Sequence, residues 1–201
     1  MKTTIAVLNQ KGVVCKTTTA INLAAYLAKE GRQVLICDAD PQGNATSGLG
    51  IDKNSLDVTL YDVLMDPSGV SKALKNTNVK NLYILPANAN LAGAEVELVN
   101  MPGRELQLKK ILDQLDYDYI LIDCPPSLGL LSVNALAAAG QVLVPVQAEY
   151  YAMEGLGQLL ATIGQIKQAI NPSLNLLGVV VTLYDSRTSL SEQVKSELQR
   201  H

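Results

Sequence analysis

Lysine and threonine side chains stand where a predicted helix begins, directly after a short loop. The β-prone run Thr3–Leu8 ends just before this loop, and Lys16, Thr17 and Thr18 open a segment with apolar residues at helical spacing. The first N–H groups of a helix lack partners within it and lie at the positive end of its dipole, so phosphate oxygens bind there. This arrangement predicts a phosphate-binding loop, with Lys16 on the β- and γ-phosphates and the Thr17 hydroxyl on Mg²⁺.

A carboxylate that can hold the metal follows another predicted strand. Asp123 ends the apolar run from Tyr119 to Ile122. An acidic residue at such a strand end commonly holds Mg²⁺ beside the threonine hydroxyl of a phosphate-binding loop. A strand-end aspartate can also merely cap the next turn, but the Lys16-Thr17 pair favours the metal role.

Two further carboxylates, Asp38 and Asp40, follow the predicted strand from Gln33 to Cys37. Side chains in a strand repeat every two residues, so both carboxylates share a face if the strand continues. Pro41 favours a bend, in which case the two carboxylates diverge. One of them can orient a water for γ-phosphoryl transfer, where catalysis is mostly positioning and charge stabilisation. The alternative is a pair of turn-forming aspartates before the proline.

The composition is that of a globular protein with reduced cysteines. Its 201 residues suit one domain, and 48% hydrophobic with 17% charged residues excludes a disordered chain. A net charge of −3 gives no bulk signal for nucleic-acid binding, so any DNA contact must come from a local patch or a dimer. Three cysteines without a CxxC motif argue against disulfides and a zinc site. The N-terminus lacks a signal-peptide layout, and the apolar region 128–146 is too interrupted for a membrane span.

β-prone and helical segments alternate along the whole chain. The predicted strands are 3–8, 33–37, 81–86, 118–124, 141–146 and 176–183. Helical segments separate most of them. The strand 33–37 ends at Asp38–Asn44, and the residues that follow up to Ser55, in which Gly, Asn, Ser and Asp dominate, are predicted to form a long loop or a mobile surface segment. This alternation predicts an α/β fold, a single domain over residues 1–201, with a mostly parallel twisted sheet and helices on both faces.

The polar clusters of the sequence follow the predicted strands. They are Gln10–Thr18, Asp38–Asn44, Asp123–Ser127, Gln147–Tyr151 and Thr182–Arg187. In a parallel sheet, ligands bind beyond the carboxyl ends of the strands. We therefore expect these clusters to converge on one edge of the sheet, around the phosphate-binding loop.

Several motifs resemble those of the ParA/MinD deviant Walker A ATPases, and in particular the ParA/Soj branch. The matching segments are Asn9–Gly12 with Lys16–Ala24, Asp38–Thr46, Ile120–Ser127, Val144–Glu149 and Tyr184–Thr188. They extend over essentially the whole chain and are jointly highly specific. The run Pro41–Thr46 favours the chromosome- or plasmid-partition branch over the MinD branch. The resemblance implies a P-loop NTPase fold.

The resemblance also implies an ATP-dependent molecular switch. Members of this branch bind ATP and Mg²⁺ and dimerise with two nucleotides at the interface. Their ATP-bound dimer binds DNA without sequence preference, and a ParB-type partner protein stimulates slow hydrolysis of ATP to ADP and phosphate. The expected location is cytoplasmic and nucleoid-associated, without attachment to a membrane.

Catalytic and metal-binding roles are implied for five charged residues. Lys11 would reach across to the phosphates of the partner, whereas Lys16 would act within its own chain. Asp40 would position the hydrolytic water. Asp38 and Asp123 would lie near the metal.

The resemblance further implies a set of nucleotide contacts and one DNA contact. The nucleotide-binding residues are Gly12, Val13, Val14, Cys15, Lys16, Thr17 (also on Mg²⁺), Thr18 on the α-phosphate, and Thr182 near the base. Arg187 matches a position implicated in DNA contact in this branch. The alternative for Arg187 is an ordinary solvated arginine at the start of a helix.

Two features depart from the family pattern. Residues Lys11–Lys16 read Lys-Gly-Val-Val-Cys-Lys, where the family has Lys-Gly-Gly-Val-Gly-Lys. If Val13 or Cys15 needs a positive φ, each replacement costs about 1–3 kcal/mol of backbone strain. Added bulk can also displace phosphate, so we expect weakened ATP binding with the fold retained. The chain also ends at His201, before the family's final strand-loop-helix segment, and we expect the adenine pocket to be open on one side.

Three function classes remain open from the sequence. The first is the ATP-driven partition switch. The second is a metabolic or metallocluster enzyme on the same fold, such as a dethiobiotin-synthetase-like or nitrogenase-iron-protein-like activity; neither Cys37 nor Cys124 has flanking residues typical of a cluster site. The third is a nucleotide-impaired scaffold, favoured by Val13 and Cys15. ATP-dependent dimerisation and salt-sensitive binding to random DNA separate the first class from the other two.

Overall fold

This computed structural model describes residues 2–149 and 152–200, without the side chains of residues 152–154, 190, 195, 199 and 200. The described residues contain seven strands. In chain order they are β1 Thr3–Val7, β2 Val34–Asp38, β3 Lys75–Asn76, β4 Leu82–Leu85, β5 Tyr119–Asp123, β6 Gln141–Gln147 and β7 Asn175–Thr182. They form one sheet of order β3-β4-β2-β5-β1-β6-β7. Strand β3 is antiparallel to β4 and the other neighbours are parallel, so the predicted mostly parallel sheet is confirmed.

Helices pack on both faces of the sheet, as predicted. They are α1 Lys16–Lys29, α2 Asn44–Gly48, α3 Leu60–Met65, α4 Val70–Ala73, α5 Leu91–Glu97, α6 Gln107–Asp113, α7 Leu130–Ala138, α8 Ala152–Ala169 and α9 Ser189–Arg200. The core divides into two clusters, one containing Leu35 and Ile120 and the other Ile36 and Leu121. Successive strand residues face opposite sides, so continuous apolar runs fill both clusters. No helix among the described residues is long and apolar enough to cross a membrane.

The region between Asn44 and Ser55 is not the uninterrupted loop that the sequence predicts. Helix α2 occupies Asn44–Gly48, and its Ala45 and Thr46 are buried. Five residues are too few to display a helical period in the sequence. The helix depends instead on Asp38, whose Oδ2 accepts hydrogen bonds from the Thr46 N–H at 2.8 Å and the Thr46 hydroxyl at 2.7 Å. The two-residue strand β3 was also unpredicted and is defined by its pairing with β4.

The sheet topology brings the loops after β1, β2 and β5 together. These three strands are neighbours, in the order β2-β5-β1. They also end in register, with Asp123 opposite Val7 on one side and Asp38 on the other. The segments that carry the predicted lysine, threonine and aspartates therefore leave the same edge of the sheet.

Candidate functional site

Helix α1 begins with a backbone that leaves its N-terminus open. Its N-cap residue, Cys15, has φ 61° and ψ 34°, in the left-handed region, and no described side chain caps the helix. The Cys15 carbonyl accepts hydrogen bonds from the Thr19 N–H at 2.9 Å and the Thr19 hydroxyl at 2.7 Å, which fixes the first turn. The N–H groups of this turn are thus available to an anion.

A buried ammonium group stands at this helix start. Lys16 is 5% exposed, and its Nζ donates to the Lys11 carbonyl at 2.8 Å. Burial lowers the pKa of Lys16, while the nearby Asp123 and Asp40 carboxylates act in the opposite direction. Because burial penalises the charged form, an anion beside Lys16 would be strongly stabilising.

Thr17 and Asp123 form the pair that the sequence assigns to the metal. The Thr17 hydroxyl donates to Asp123 Oδ2 at 2.7 Å, which leaves the hydroxyl lone pairs free for a cation. Asp123 is 1% exposed, and its Oδ1 has no hydrogen-bond partner among the described residues. Burial raises the pKa of Asp123 to about 7. A buried carboxylate oxygen without a partner needs an explanation, and a hard cation such as Mg²⁺ fits this oxygen donor set.

The side chains of Asp38 and Asp40 point in different directions, as expected from the bend that Pro41 favours. Strand β2 ends at Asp38, whose carboxylate is fully buried against Thr46 of α2. Burial raises the pKa of Asp38 to about 6, although its hydrogen bonds with Thr46 oppose the shift. Asp40 instead turns to the cleft beside α1, with its Oδ1 accepting the Gln42 N–H at 2.9 Å. The metal role of Asp38 stays a prediction, since Thr46 already occupies its Oδ2.

A cleft of about 440 Å³ lies in front of the helix start. Its lining residues are Gly12, Val13, Cys15, Lys16, Thr17, Thr18, Asp40, Gln42, Asn44 and Pro126. The structure thus brings together most of the predicted nucleotide-binding residues with the predicted water-positioning carboxylate. Sequence reasoning did not assign roles to Gln42, Asn44 and Pro126, although all three lie within the segments that resemble the family motifs.

Val14 and Thr182 lie behind the loop. The Val14 side chain is buried, and its carbonyl accepts a hydrogen bond from the Thr182 hydroxyl at 3.2 Å. This contact joins the carboxyl end of β7 to the phosphate-binding loop. A contact of Thr182 with the base stays a prediction.

The strain expected in the loop falls on only one of its two unusual residues. Cys15 has a positive φ, but neither Val13 nor Gly12 is among the positive-φ residues of the described chain. The condition for strain at Val13, a positive φ, is therefore not met in this conformation. Val13 is 79% exposed and lines the cleft, so its effect on a nucleotide comes from bulk.

Lys11 is directed toward strand β6 and away from the cleft. Its half-exposed ammonium forms an ion pair with Glu149 Oε1. Its N–H donates to Asn9 Oδ1 at 3.0 Å, while Asn9 Nδ2 donates to the Pro145 carbonyl at 2.7 Å. Action of Lys11 on a partner stays a prediction. The next residues of this predicted cluster, Tyr150 and Tyr151, lie outside the described residues.

Arg187 lies on the surface in the loop before α9. Its side chain is 85% exposed, and Nη2 contacts Asp185 Oδ2 at 2.7 Å while Nε contacts Oδ1 at 2.9 Å. The hydrogen bonds to Asp185 raise the pKa of Arg187 further. The charge of Arg187 is thus locally balanced, and its contact with DNA stays a prediction.

Comparison with known proteins identifies the family. The family model described as an AAA domain matches residues 2–176. The sporulation initiation inhibitor protein Soj of Bacillus subtilis (strain 168) is 52% identical over 199 residues, which cover 98% of this chain and 79% of Soj. The chromosome partitioning protein ParA of Myxococcus xanthus (strain DK1622) is 52% identical over 196 residues, which cover 96% of this chain and 69% of that ParA. The chain belongs to the ParA/Soj family of partition ATPases.

Solved structures agree on the ParA/Soj fold but differ in the activity they name. A crystal structure from Mycobacterium smegmatis, named cobyrinic acid a,c-diamide synthase with bound ADP and magnesium, has a TM-score of 0.95 and 47% identity, covering 100% of this chain and 82% of that one. A plasmid partition protein from Borrelia burgdorferi has a TM-score of 0.85 and 27% identity, covering 100% and 86%. These matches confirm the predicted P-loop NTPase fold.

Proposed function

We propose that this protein is an ATP-dependent molecular switch that dimerises on binding nucleotide, binds DNA without sequence preference and drives chromosome or plasmid partition. One observation carries the proposal: the Thr17–Asp123 pair, with its unpartnered carboxylate oxygen, lies beside the open N-terminus of α1. The 52% identity to Soj supports partition as the process served. The protein would then act in the cytoplasm, on nucleoid DNA.

The residues at the start of α1 fit a nucleoside triphosphate and Mg²⁺. Lys16, Thr18 and the N–H groups of the first turn would hold the phosphates. Thr17 and Asp123 would hold Mg²⁺, which supplies positive charge against the phosphate oxygens. Because Thr17 and Asp123 supply only part of the oxygen ligands that Mg²⁺ requires, phosphate and water oxygens would complete its coordination.

Asp40 is the group that would orient the attacking water. It lines the same cleft as the start of α1, and the Gln42 N–H donates to one of its carboxylate oxygens. Hydrolysis on such sites depends on positioning, which a carboxylate fixed by backbone contacts can provide. Slow basal turnover would increase when a ParB-type partner binds.

The dimer is the step in which Lys11 would act. Its ammonium must leave Glu149 before it can reach the phosphates of a partner chain. Because both groups are more than a third exposed, breaking this ion pair costs little, on the order of 0–1 kcal/mol. Contact with two nucleotides would offset that cost.

Two alternative functions have specific support. The left-handed Cys15 and the bulk of Val13 favour a nucleotide-impaired scaffold of the same fold. The name of the Mycobacterium smegmatis structure favours a metabolic enzyme. Formation of cobyrinic acid a,c-diamide by the purified protein would support the second alternative and exclude the switch as its main activity.

Sizing and DNA binding test the proposal together. We expect a shift from monomer to dimer with ATP and Mg²⁺ but not with ADP, and binding of random duplex DNA by the dimer that weakens steeply with salt. A dimer that forms equally without nucleotide and ignores DNA would support the scaffold and refute the switch.

The same DNA assay tests Arg187. Arg187→Ala should lower the slope of log affinity against log salt by about 1, since one phosphate contact is lost. Asp185→Asn should tighten binding, because it releases the Arg187 guanidinium. Arg32→Ala, an exposed arginine at the other edge of the sheet, serves as the matched control for loss of charge. Equal effects of Arg187→Ala and Arg32→Ala would contradict a direct contact between Arg187 and DNA.

A further inference from the structure

Helix α7 takes its N-terminal cap from a distant helix. Its own N-cap residue is Gly129, its first turn carries no acidic residue, and no described side chain caps it as an N-cap residue would. Glu95 of α5 supplies the missing acceptors, since its Oε2 accepts the Leu130 N–H at 2.7 Å and its Oε1 the Leu131 N–H at 3.2 Å. The carboxylate thus lies at the N-terminal end of α7, where helix N–H groups lack partners within the helix.

The glycine at position 129 is required by this contact. A Cβ added to Gly129 would lie 2.5 Å from Glu95 Oε1 and 2.9 Å from its Cδ. The φ of Gly129 is −74°, so the backbone itself would accept any residue. Glycine is needed here because the Glu95 carboxylate approaches the backbone closely.

Glu95 holds the far end of the segment that begins at Asp123. The near end of residues 124–129 is anchored by the Cys124 N–H, which donates to the Val7 carbonyl at 3.2 Å. Between these two ends, Pro125 and Pro126 have no N–H to donate. The middle of the segment is held from α7 as well, because the Ser132 hydroxyl donates to the Ser127 carbonyl. The position of the segment therefore depends on its two ends and on where α7 begins.

This segment forms part of the wall of the nucleotide cleft. Pro126 lines the cleft together with Asp40 and Lys16. A second cavity of about 240 Å³ behind this wall is lined by both Asp40 and Glu95, with Pro126 and Leu131. Glu95 thus lines the same cavity as Asp40, the predicted water-positioning residue.

The loop that carries Asp40 rests on the segment leading into α5. The Ala87 N–H donates to the Thr46 hydroxyl at 3.0 Å, and a Cβ on Gly43 would lie 2.7 Å from the Ala87 carbonyl oxygen. Both walls of the cleft, one after β2 and one after β5, are therefore tied to residues 87–95. A change at Glu95 would alter the relation between these walls.

We propose that Glu95 is a positioning residue for ATP hydrolysis: its two hydrogen bonds to α7 fix residues 124–129 and thereby the distance between the Pro126 wall and Asp40. This inference rests on the proposed function. Among the described residues, Glu95 does not line the cleft in front of α1, and its hydrogen bonds go to the Leu130 and Leu131 N–H groups, so it should govern the rate of hydrolysis and leave nucleotide affinity nearly unchanged.

The experiment disrupts the contact between Glu95 and the start of α7 by two different substitutions. Glu95→Gln keeps the shape but turns an N–H donor toward a backbone N–H, and Gly129→Ala displaces the carboxylate by its added Cβ. Glu97→Gln, on the same helix and bonded to the Tyr61 hydroxyl, is the matched control. Each is made in the wild-type chain and in a Val13→Gly/Cys15→Gly parent, and thermal melting confirms that each variant folds.

We expect Glu95→Gln and Gly129→Ala each to lower kcat for ATP hydrolysis about tenfold with KM within about twofold. Amide hydrogen exchange at Leu130 and Leu131 should accelerate in both variants. The double variant should be no slower than either single variant, because the two changes remove the same contact. Glu97→Gln should leave kcat and these amides unchanged.

Three outcomes would overturn the inference. If amide exchange accelerates but kcat is unchanged, Glu95 only caps α7 and does not affect hydrolysis. If Glu97→Gln lowers kcat equally, the loss reflects a general effect on α5. Absence of hydrolysis in both parent proteins would refute the proposed function and remove the reaction that Glu95 is inferred to position. Loss of kcat confined to the Glu95 and Gly129 variants, with active parents, supports the inference.

Discussion

The two sides of the nucleotide cleft are held in different ways. The basic side, residues 10–15 with the start of α1, is a loop in which Cys15 adopts a left-handed backbone and Val13 stands exposed. The acidic side, Asp38 and Asp123 with the loops that follow them, begins at strand ends that are paired in register. Strand ends are fixed by ladder hydrogen bonds whatever their side chains, whereas a tight loop depends on which residues can adopt its φ values. Departures from the family pattern therefore matter most on the basic side.

The two sides also carry different energetic costs. On the basic side the cost is partly conformational, at Cys15, and partly electrostatic, because burial lowers the pKa of Lys16. On the acidic side it is electrostatic, because burial and mutual repulsion raise the pKa of Asp123 to about 7 and burial raises that of Asp38 to about 6. A bound cation would offset the electrostatic cost but cannot relieve a strained backbone.

The largest expected effect is on nucleotide affinity from the basic side. Lys16→Ala should weaken binding of ATP with Mg²⁺ by about 100-fold, since it removes a desolvated, charge-assisted contact to phosphate. Isothermal titration measures the change. Lys29→Gln, in the last turn of the same helix, is the control and should bind like the wild type. Similar affinities for Lys16→Ala and wild type would place the nucleotide elsewhere.

The second prediction concerns the acidic side without nucleotide or Mg²⁺. The pKa of Asp123 is raised in the folded state, so between about pH 4 and about pH 7 the folded protein holds a proton that the unfolded chain has released. Stability from this group is therefore present at low pH and lost as pH rises. Asp123→Asn should raise the free energy of unfolding by about 1–2 kcal/mol at about pH 8 and much less at about pH 5.

Urea unfolding at the two pH values measures this difference. The amide oxygen of asparagine can still accept the Thr17 hydroxyl, so the packing around position 123 is retained. Asp116→Asn, which removes an exposed carboxylate, is the control for overall charge. A gain for Asp123→Asn that is equal at both pH values would contradict burial of its charge as the cause.

The smallest expected effects are those of substitutions at Cys15 and Val13, which distinguish backbone strain at Cys15 from side-chain bulk at Val13. Cys15→Gly should raise the free energy of unfolding by about 1 kcal/mol, because it relieves a left-handed non-glycine residue. Val13→Gly should lower it by up to about 1 kcal/mol, because its backbone is unstrained and glycine loses more entropy on folding. Both variants should bind ATP with Mg²⁺ about fivefold more tightly.

Titration of the two single variants and of the double variant checks the affinity part. If the double variant binds no more tightly than the wild type, the altered loop does not impair the site. Unfolding energies that change in the same direction for both variants would contradict the assignment of strain to Cys15 alone.

The sequence by itself determined the fold class and the family. Continuous apolar runs identify strands buried on both faces, and most of the elements lie where the alternation of β-prone and helical segments predicts them. Local chemistry sufficed for the phosphate-binding loop, because a strand, a short loop and a helix starting with Lys16 and Thr17 are contiguous. It also sufficed for Asp123, which ends an apolar strand.

Only the tertiary structure decided which contacts hold these residues. The separate directions of Asp38 and Asp40 depend on where β2 ends and on helix α2, which was too short to leave a periodic signal. The Glu95 cap joins residues 35 positions apart, so no spacing in the sequence indicates it. The backbone of Val13 and Cys15 likewise follows from the path between β1 and α1. Sequence patterns record local periodicity and charge, whereas these contacts arise only when packing fixes how distant segments meet.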